Sequence, residues 1–416
     1  MKNIISDLKA REILDSRGNP TLEVEISLVN QHAVASVPSG ASTGRHEARE
    51  LRDNDPNRYQ GKGVLTAVNH VNQNIKPALV GKEFDQTSLD RCLIELDGTP
   101  TKSRLGANAI LGVSLAFARV ASQVFQQELY QYLGDLSGTT TFHLPQPAFN
   151  IINGGKHADS GLDLQEFMLL PQDFGSIAEK IRVGAEIYQT LRNLLHQANY
   201  SIGVGDEGGF APQLPSTEAA LDFLVQAIET SGYTTDQVKI GLDAAATSFF
   251  QEGVYRLRER TETHELDADR LISWYQKLIK EYPIISLEDG LAEDDWSGFQ
   301  LLMNRLGQEM MIVGDDLTVT NLERITMAVT HQSINAVLIK PNQIGTLTET
   351  LAAITLTKQQ GWTPFISHRS GETTDTFIAD LAVGTSSPFI KSGSLARGER
   401  IAKYNRLMQI EQLLNV

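Results

Sequence analysis

The sequence predicts an α/β protein in which a C-terminal TIM-type (β/α)8 barrel follows a smaller α+β cap domain. Three observations predict it. At 416 residues the chain is too long for one ordinary domain. In its later part, short apolar runs that end on a polar or charged residue alternate with helical stretches. The early part lacks that rhythm: a strand-like run is followed by consecutive helical stretches.

The early elements come in order. TLEVEISLVN, from Thr21, alternates like a half-buried strand. PSGASTG, from Pro38 to Gly44, sets small residues and two glycines beside a proline, which predicts a mobile loop. VLTAVNHVNQNIKPAL, after Gly63, has helical spacing, and a long helical stretch is predicted from Leu105 to Leu133. Residues 1–134 are therefore read as the α+β domain. Residues 135–147, rich in Gly, Thr and Pro, are read as a linker, and 148–416 as the barrel.

The later runs are DLQEFMLLP, SIGVGDEGG, VKIGLDAAA, PIISLEDG, MIVGDDL, NAVLIKPNQ, TPFISHRSG and PFIKSG. The last six place Asp243, Glu288, Asp315, Lys340, His368 and Lys391 where a strand stops, roughly 45, 27, 25, 28 and 23 residues apart. That spacing suits one β/α unit each. In a closed parallel barrel such strand ends meet around one mouth, where catalytic groups sit. A doubly wound open sheet is the alternative; it would typically show a Gly-rich phosphate turn, GxGxxG, opening its first βα unit, and the sequence is read as lacking one.

Composition narrows the function. A net charge of −15 argues against non-specific nucleic-acid binding and membrane insertion. Cys92 is the single cysteine, so no internal disulfide forms, which suits a reducing compartment. The polar residues Asp7, Lys9, Arg11 and Glu12 interrupt any signal-peptide core, and no uninterrupted apolar span of membrane length occurs. The expectation is a soluble cytoplasmic protein.

Asp243, Glu288 and Asp315 would place three carboxylates at one mouth, where they repel unless a cation neutralises them. Oxygen-only ligands favour Mg2+ over zinc. Lys340 and Lys391 lie in apolar strands pointing to the same mouth, where positive charge nearby would lower an amine toward a usable base. Glu207 sits in a glycine-flanked turn as a candidate proton donor, and Glu166 is an acid amid apolar residues that needs a partner if buried. His157 lies on a Gly-rich segment; His368-Arg369-Ser370 combines groups able to grip a phosphate. Together they fit a phosphorylated carboxylate substrate that loses a proton beside its carboxylate and then a hydroxyl.

At these residues the chain resembles the enolase family, bacterial type. The resemblance rests on ILDSRGNPTLEVE, PSGASTG, LGANAILGVSLA, NIINGG, DLQEFM, GDEGGFAP, SLEDGLAEDDW, GDDLTVTN, IKPNQIGTLTET, SHRSGETTDTFIADLAVG and GERIAKYN, and runs through nearly the whole chain. It implies a barrel with an irregular ββαα start and phosphopyruvate hydratase activity, a glycolytic carbon–oxygen lyase reaction. It implies Lys340 as base, Glu207 as acid, and Glu166, His157 and His368 as supporting groups. Asp243, Glu288 and Asp315 match ligands of a first Mg2+, and Ser42 matches the loop residue that reaches a second one arriving with substrate. Gln165, Arg369, Ser370, Lys340 and Lys391 match substrate contacts, Arg369 on the phosphate and Lys391 near the carboxylate. It further implies 2-phosphoglycerate and phosphoenolpyruvate as substrate and product, a homo-oligomer (dimer or octamer), and protein partners in RNA-processing assemblies or at the cell surface.

Lys156, Pro341 and Gly398 depart from the family pattern without removing a catalytic side chain. Two rivals are weighed. A racemase or acid-sugar dehydratase of the same superfamily would carry a lysine pair on an early barrel strand, where this chain has Gln165 and Glu166. A non-catalytic scaffold would have lost catalytic positions, and here each is filled.

Overall fold

A computed structural model describes residues 3–414 except 29, 41–43, 159 and 260–261. The chain opens with an antiparallel sheet, β1 (Ile5–Leu14), β2 (Pro20–Leu28) and β3 (Gln31–Ser36), in the order β1-β2-β3. On β2, Leu22, Val24, Ile26 and Leu28 alternate onto the buried face. The helix Ala107–Val124 lies across β2 and β3. By length and composition that helix would suit a membrane, yet 83% of it is buried in the fold, the burial expected of a core helix.

β1 lies outside the predicted elements. Asp7, Lys9, Arg11 and Glu12, which interrupt any signal core, all lie at partly or fully exposed positions of this strand. After Gly63 the helical residues run as three consecutive segments from Leu65 to Leu79. The stretch expected as one helix from Leu105 to Leu133 is two, Ala107–Val124 and Leu129–Ser137. The chain breaks between them where Gln126 takes φ 56°. Gly138, at φ 69°, stops the second helix, as left-handed backbone at a C-terminus favours glycine.

The barrel strands are β4 (Gln146–Asn153), β5 (Glu166–Pro171) and β6 (Val238–Asp243). A separate antiparallel sheet follows, β7 (Phe250–Gln251), β8 (Val254–Glu259) and β9 (Glu262–Leu266). Then come β10 (Ile284–Glu288), β11 (Met311–Gly314), β12 (Ala336–Ile339), β13 (Thr363–Ser367) and β14 (Phe389–Lys391). The eight barrel strands close in the order β10-β11-β12-β13-β14-β4-β5-β6. β5 is antiparallel to both neighbours, and the helices Ile177–Gln197 and Thr217–Thr230 separate it from β6. The barrel therefore begins ββαα, as the resemblance implies. Ala148, Met168, Leu170, Val313, Ala336, Leu338 and Phe365, all on barrel strands, form their own apolar cluster, the packed interior such barrels have.

The small sheet domain is tied to the barrel by polar contacts. Ser39 and Gly371 exchange backbone hydrogen bonds at 2.7 and 2.8 Å. Arg119 makes a two-pronged pair with Asp375, both bonds 2.6 Å. Asp90 accepts from Thr348 N at 2.8 Å, and Lys102 Nζ donates to Glu349 at 2.9 Å.

Candidate active site

Parallel strands closed into a barrel bring their C-terminal ends to one rim. β6 ends on Asp243, β10 on Glu288 and β14 on Lys391; Asp315, Lys340 and His368 follow directly after β11, β12 and β13. β5 runs the other way, so its first residue, Glu166, reaches this rim in register with Asp243. His157 ends a short turn after β4.

Glu207 comes from the segment between the two helices that follow β5. SIGVGDEGG, read from the sequence as a strand-like run, is an irregular loop whose strand-like pairing is limited to isolated bridges of Phe210 to Val204 and Ile152. Its glycines are a packing device: Gly208 has φ 89°, and a Cβ there would sit 2.6 Å from the carbonyl oxygen of Ala396. Gly203, Gly205 and Gly208 have the spacing of a dinucleotide-binding turn but do not join a strand to a helix, which that use requires.

One cavity at this rim is lined by His157, Gln165, Glu166, Glu207, Asp243, Asp315, Lys340, His368, Arg369, Ser370 and Lys391, together with Asp289 and Asp316. Glu288 is not on the lining; Lys391 Nζ lies 2.7 Å from both of its carboxylate oxygens. Ser42 lies outside the described residues.

Most of the charged groups pair with one another. Lys340 Nζ is 2.5 Å from Asp315 Oδ2, and Gln343 donates to Asp315 Oδ1 at 2.9 Å. Lys391 Nζ also lies 3.2 Å from Glu166 and 3.8 Å from Asp243. Gln165 donates to Asp243 Oδ2 at 3.0 Å. Glu207 Oε2 accepts from Asn150 at 2.9 Å and faces His368 Nε2 at 3.3 Å; its Oε1 is 3.6 Å from His157 Nδ1. Arg369 forks onto Glu47 at 2.9 and 3.1 Å and donates to Asn342 at 3.2 Å.

The charge balance follows from these contacts. Burial and the negative Asp243 raise the Glu288 carboxyl well above the usual range. Burial and Glu207 raise Glu166, whereas Glu207 is held low because His157 and His368 outweigh its burial. Burial would lower both lysines, but Asp315 outweighs it at Lys340, and Glu166, Glu288 and Asp243 outweigh it at Lys391. Both amines are thus raised. The expectation of lysines lowered by positive neighbours is reversed among the protein's own groups, because carboxylates are their nearest partners.

The donor set fits a hard divalent cation. Asp243, Glu288 and Asp315 offer only oxygen, and the buried Oε1 of Gln165 beside them has no hydrogen-bond partner within the protein. Two acids beyond the sequence candidates stand beside Asp315. Asp289 and Asp316 lie with Asp315 so that one oxygen of each falls within 4.8 Å of the others. Burial and Asp315 push Asp316 up to about 8. The doublets Glu288-Asp289 and Asp315-Asp316 were the available signal, since each puts a second acid directly behind a strand-end acid. Glu47 and Asn150 carried no comparable signal.

The departures are benign. Pro341 is the first residue of the short helix Pro341–Ile344, where a missing N–H leaves no bond unmade. Gly398 opens the helix Gly398–Leu414 with open space around it, and Lys156 is exposed.

Comparison with known families agrees with this architecture domain by domain. Residues 5–133 match the family described as the enolase N-terminal domain. Residues 141–416 match the enolase C-terminal TIM barrel domain. Two adjoining matches, in the family's own order, span nearly the whole chain, and the chain belongs to the enolase family of lyases.

Proposed function

We propose that the chain reversibly dehydrates 2-phospho-D-glycerate to phosphoenolpyruvate, with Lys340 as base and Glu207 as acid. The observation that carries this reading is the single cavity whose lining combines Lys340, Glu207 and Arg369. Enolase-superfamily sites are the known pattern of a Lys or His base beside one or two Mg2+, so the scheme is the family's own.

In this reading Lys340 takes the proton beside the substrate carboxylate. Glu207 delivers a proton to the departing hydroxyl, with Glu166 and His157 alongside. Arg369 and Ser370 receive the phosphate, while Gln165 and Lys391 orient the carboxylate end. Mg2+ held by Asp243, Glu288 and Asp315 would supply charge for the developing carbanion and would offset the carboxylates that keep the lysines protonated. A second Mg2+, toward Ser42, completes the expectation.

Ultraviolet detection of phosphoenolpyruvate from 2-phosphoglycerate tests this directly. Turnover should require Mg2+, stop with EDTA, and fall by at least about a hundredfold in Lys340→Ala and Glu207→Gln. Turnover of an unphosphorylated hydroxy acid instead would assign a different reaction of the superfamily. Inactivity on every acid would overturn the catalytic reading.

A further inference from the structure

Arg400, the third residue of the helix Gly398–Leu414, is wholly buried. Its guanidinium is directed mainly at carbonyl oxygens. Nη1 donates to Arg369 O at 2.5 Å, and Nη2 donates to Ser370 O at 2.5 Å and Asp206 O at 3.2 Å. Nη2 also reaches Ser16 Oγ at 3.4 Å, and the Glu399 carboxylate stands 3.3 Å from Nε. These bonds fix the guanidinium in place. The remaining contact is the informative one: Nη1 lies 2.5 Å from Nδ1 of His368.

A guanidinium has only donors and keeps its charge in proteins. Nδ1 of His368 must therefore present a lone pair. A neutral imidazole with bare Nδ1 carries its hydrogen on Nε2. That nitrogen is the one facing Glu207 Oε2, at 3.3 Å.

We propose that Arg400 is a positioning residue that locks His368 in the Nε2–H tautomer and so aims a neutral hydrogen-bond donor at Glu207. The inference rests on the reading of Glu207 as the acid of the reaction. The groups facing the ring are Glu207 from its loop, Arg400 from the last helix and Glu372 from the segment after β13. Burial and Arg400 prevail over the two carboxylates and hold the imidazole down to about 4. A neutral His368 can share its Nε2–H in a hydrogen bond but is too weak an acid to transfer that proton near neutrality. The proton that Glu207 delivers then belongs to the Glu166–Glu207 pair, whose carboxylates lie within 4.8 Å.

The test is a long-range proton–nitrogen correlation spectrum of the full chain with labelled histidine, His368 being assigned by the signal lost in His368→Gln. The expected result is a protonated Nε2 and a bare Nδ1, unchanged between about pH 6 and 8. A protonated Nδ1 or a doubly protonated ring at neutral pH overturns the proposal. In Arg400→Met the ring should mix tautomers and titrate nearer the ordinary histidine value. Its kcat below neutral pH should fall at least about tenfold, with KM less affected. Arg400→Lys, which still offers only donors, should restore the Nε2–H form. An unchanged tautomer in Arg400→Met also overturns the proposal; should that variant not fold, the wild-type and Arg400→Lys spectra decide. The expected tautomer in a protein that does not turn over 2-phosphoglycerate would sink the functional reading alone.

Discussion

Asp289 occupies a left-handed backbone position, φ 42°, which an aspartate tolerates better than most side chains. The turn aims its two oxygens at consecutive backbone donors, Asp315 N at 2.9 Å and Asp316 N at 2.7 Å. Asp289 therefore fixes the backbone that carries a proposed metal ligand. Asp289→Ala leaves one buried and one part-buried N–H group unpaired, the buried one at about 1–3 kcal/mol. Calorimetric titration should show Mg2+ affinity falling at least about tenfold, and less in Asp289→Asn, which keeps one acceptor. His368 makes a second prediction. With its value held down to about 4, it contributes stability that is fully present above the unfolded value near 6.5 and is lost as pH falls toward 4. Denaturation of wild type and His368→Gln across that window should differ in slope, by up to about 3 kcal/mol in total. An identical slope would mean the ring titrates normally in the fold.

The strand ends that bear candidate site residues were legible because β6, β10, β11, β12, β13 and β14 are short and apolar and stop at a charged residue or a histidine, as in AVLIK and FIK, whereas β4 stops at Asn153 and was not read as a strand. The strands that escaped are those that break this rule. β1 forms an edge of its sheet and shows charged side chains to solvent, so its alternation is masked by Asp7, Lys9, Arg11 and Glu12. β8 and β9 are largely polar and belong to a sheet outside the barrel. β5 was found but its direction was not: a strand's sequence says nothing about which end meets the rim, so Glu166 stood out only as an acid among apolar residues. The same limit hid Glu47, whose partner Arg369 lies 322 residues away, and Arg400, whose partner His368 lies 32 residues away on a different element. Within the sheet domain, packing is close enough to give a sharp prediction. A Cβ on Gly112, in the helix Ala107–Val124, would lie 2.6 Å from Val24 Cγ2. Gly112→Ala should therefore destabilise the protein by about 1–3 kcal/mol in urea unfolding, although alanine is the better helix former.

At the scale of the whole molecule, two bodies are joined by partly buried ion pairs and matched backbone bonds. Arg119 reaches from the core helix of the sheet domain to Asp375 beyond β13, where the carboxyl stays low because the guanidinium outweighs its burial. Arg119→Ala leaves the carboxylate with only its backbone donors, Ser36 N and Phe377 N, and should cost up to about 3 kcal/mol, read from the denaturant midpoint. A loss no larger than that of a surface pair would show that the two bodies do not depend on this contact. The barrel, for its part, is sealed where β14 meets β4, Lys391 opposite Ala148, between residues roughly 240 apart along the chain. A seam of that span is slow to form, because a very long loop must be brought round before its bonds compensate. Until it forms, β4 and the opposite border strand offer unpaired backbone to other half-folded copies, an aggregation hazard. The residue that completes the seam also completes the charge cluster, so recovery of turnover during refolding should coincide with the last step of ring closure.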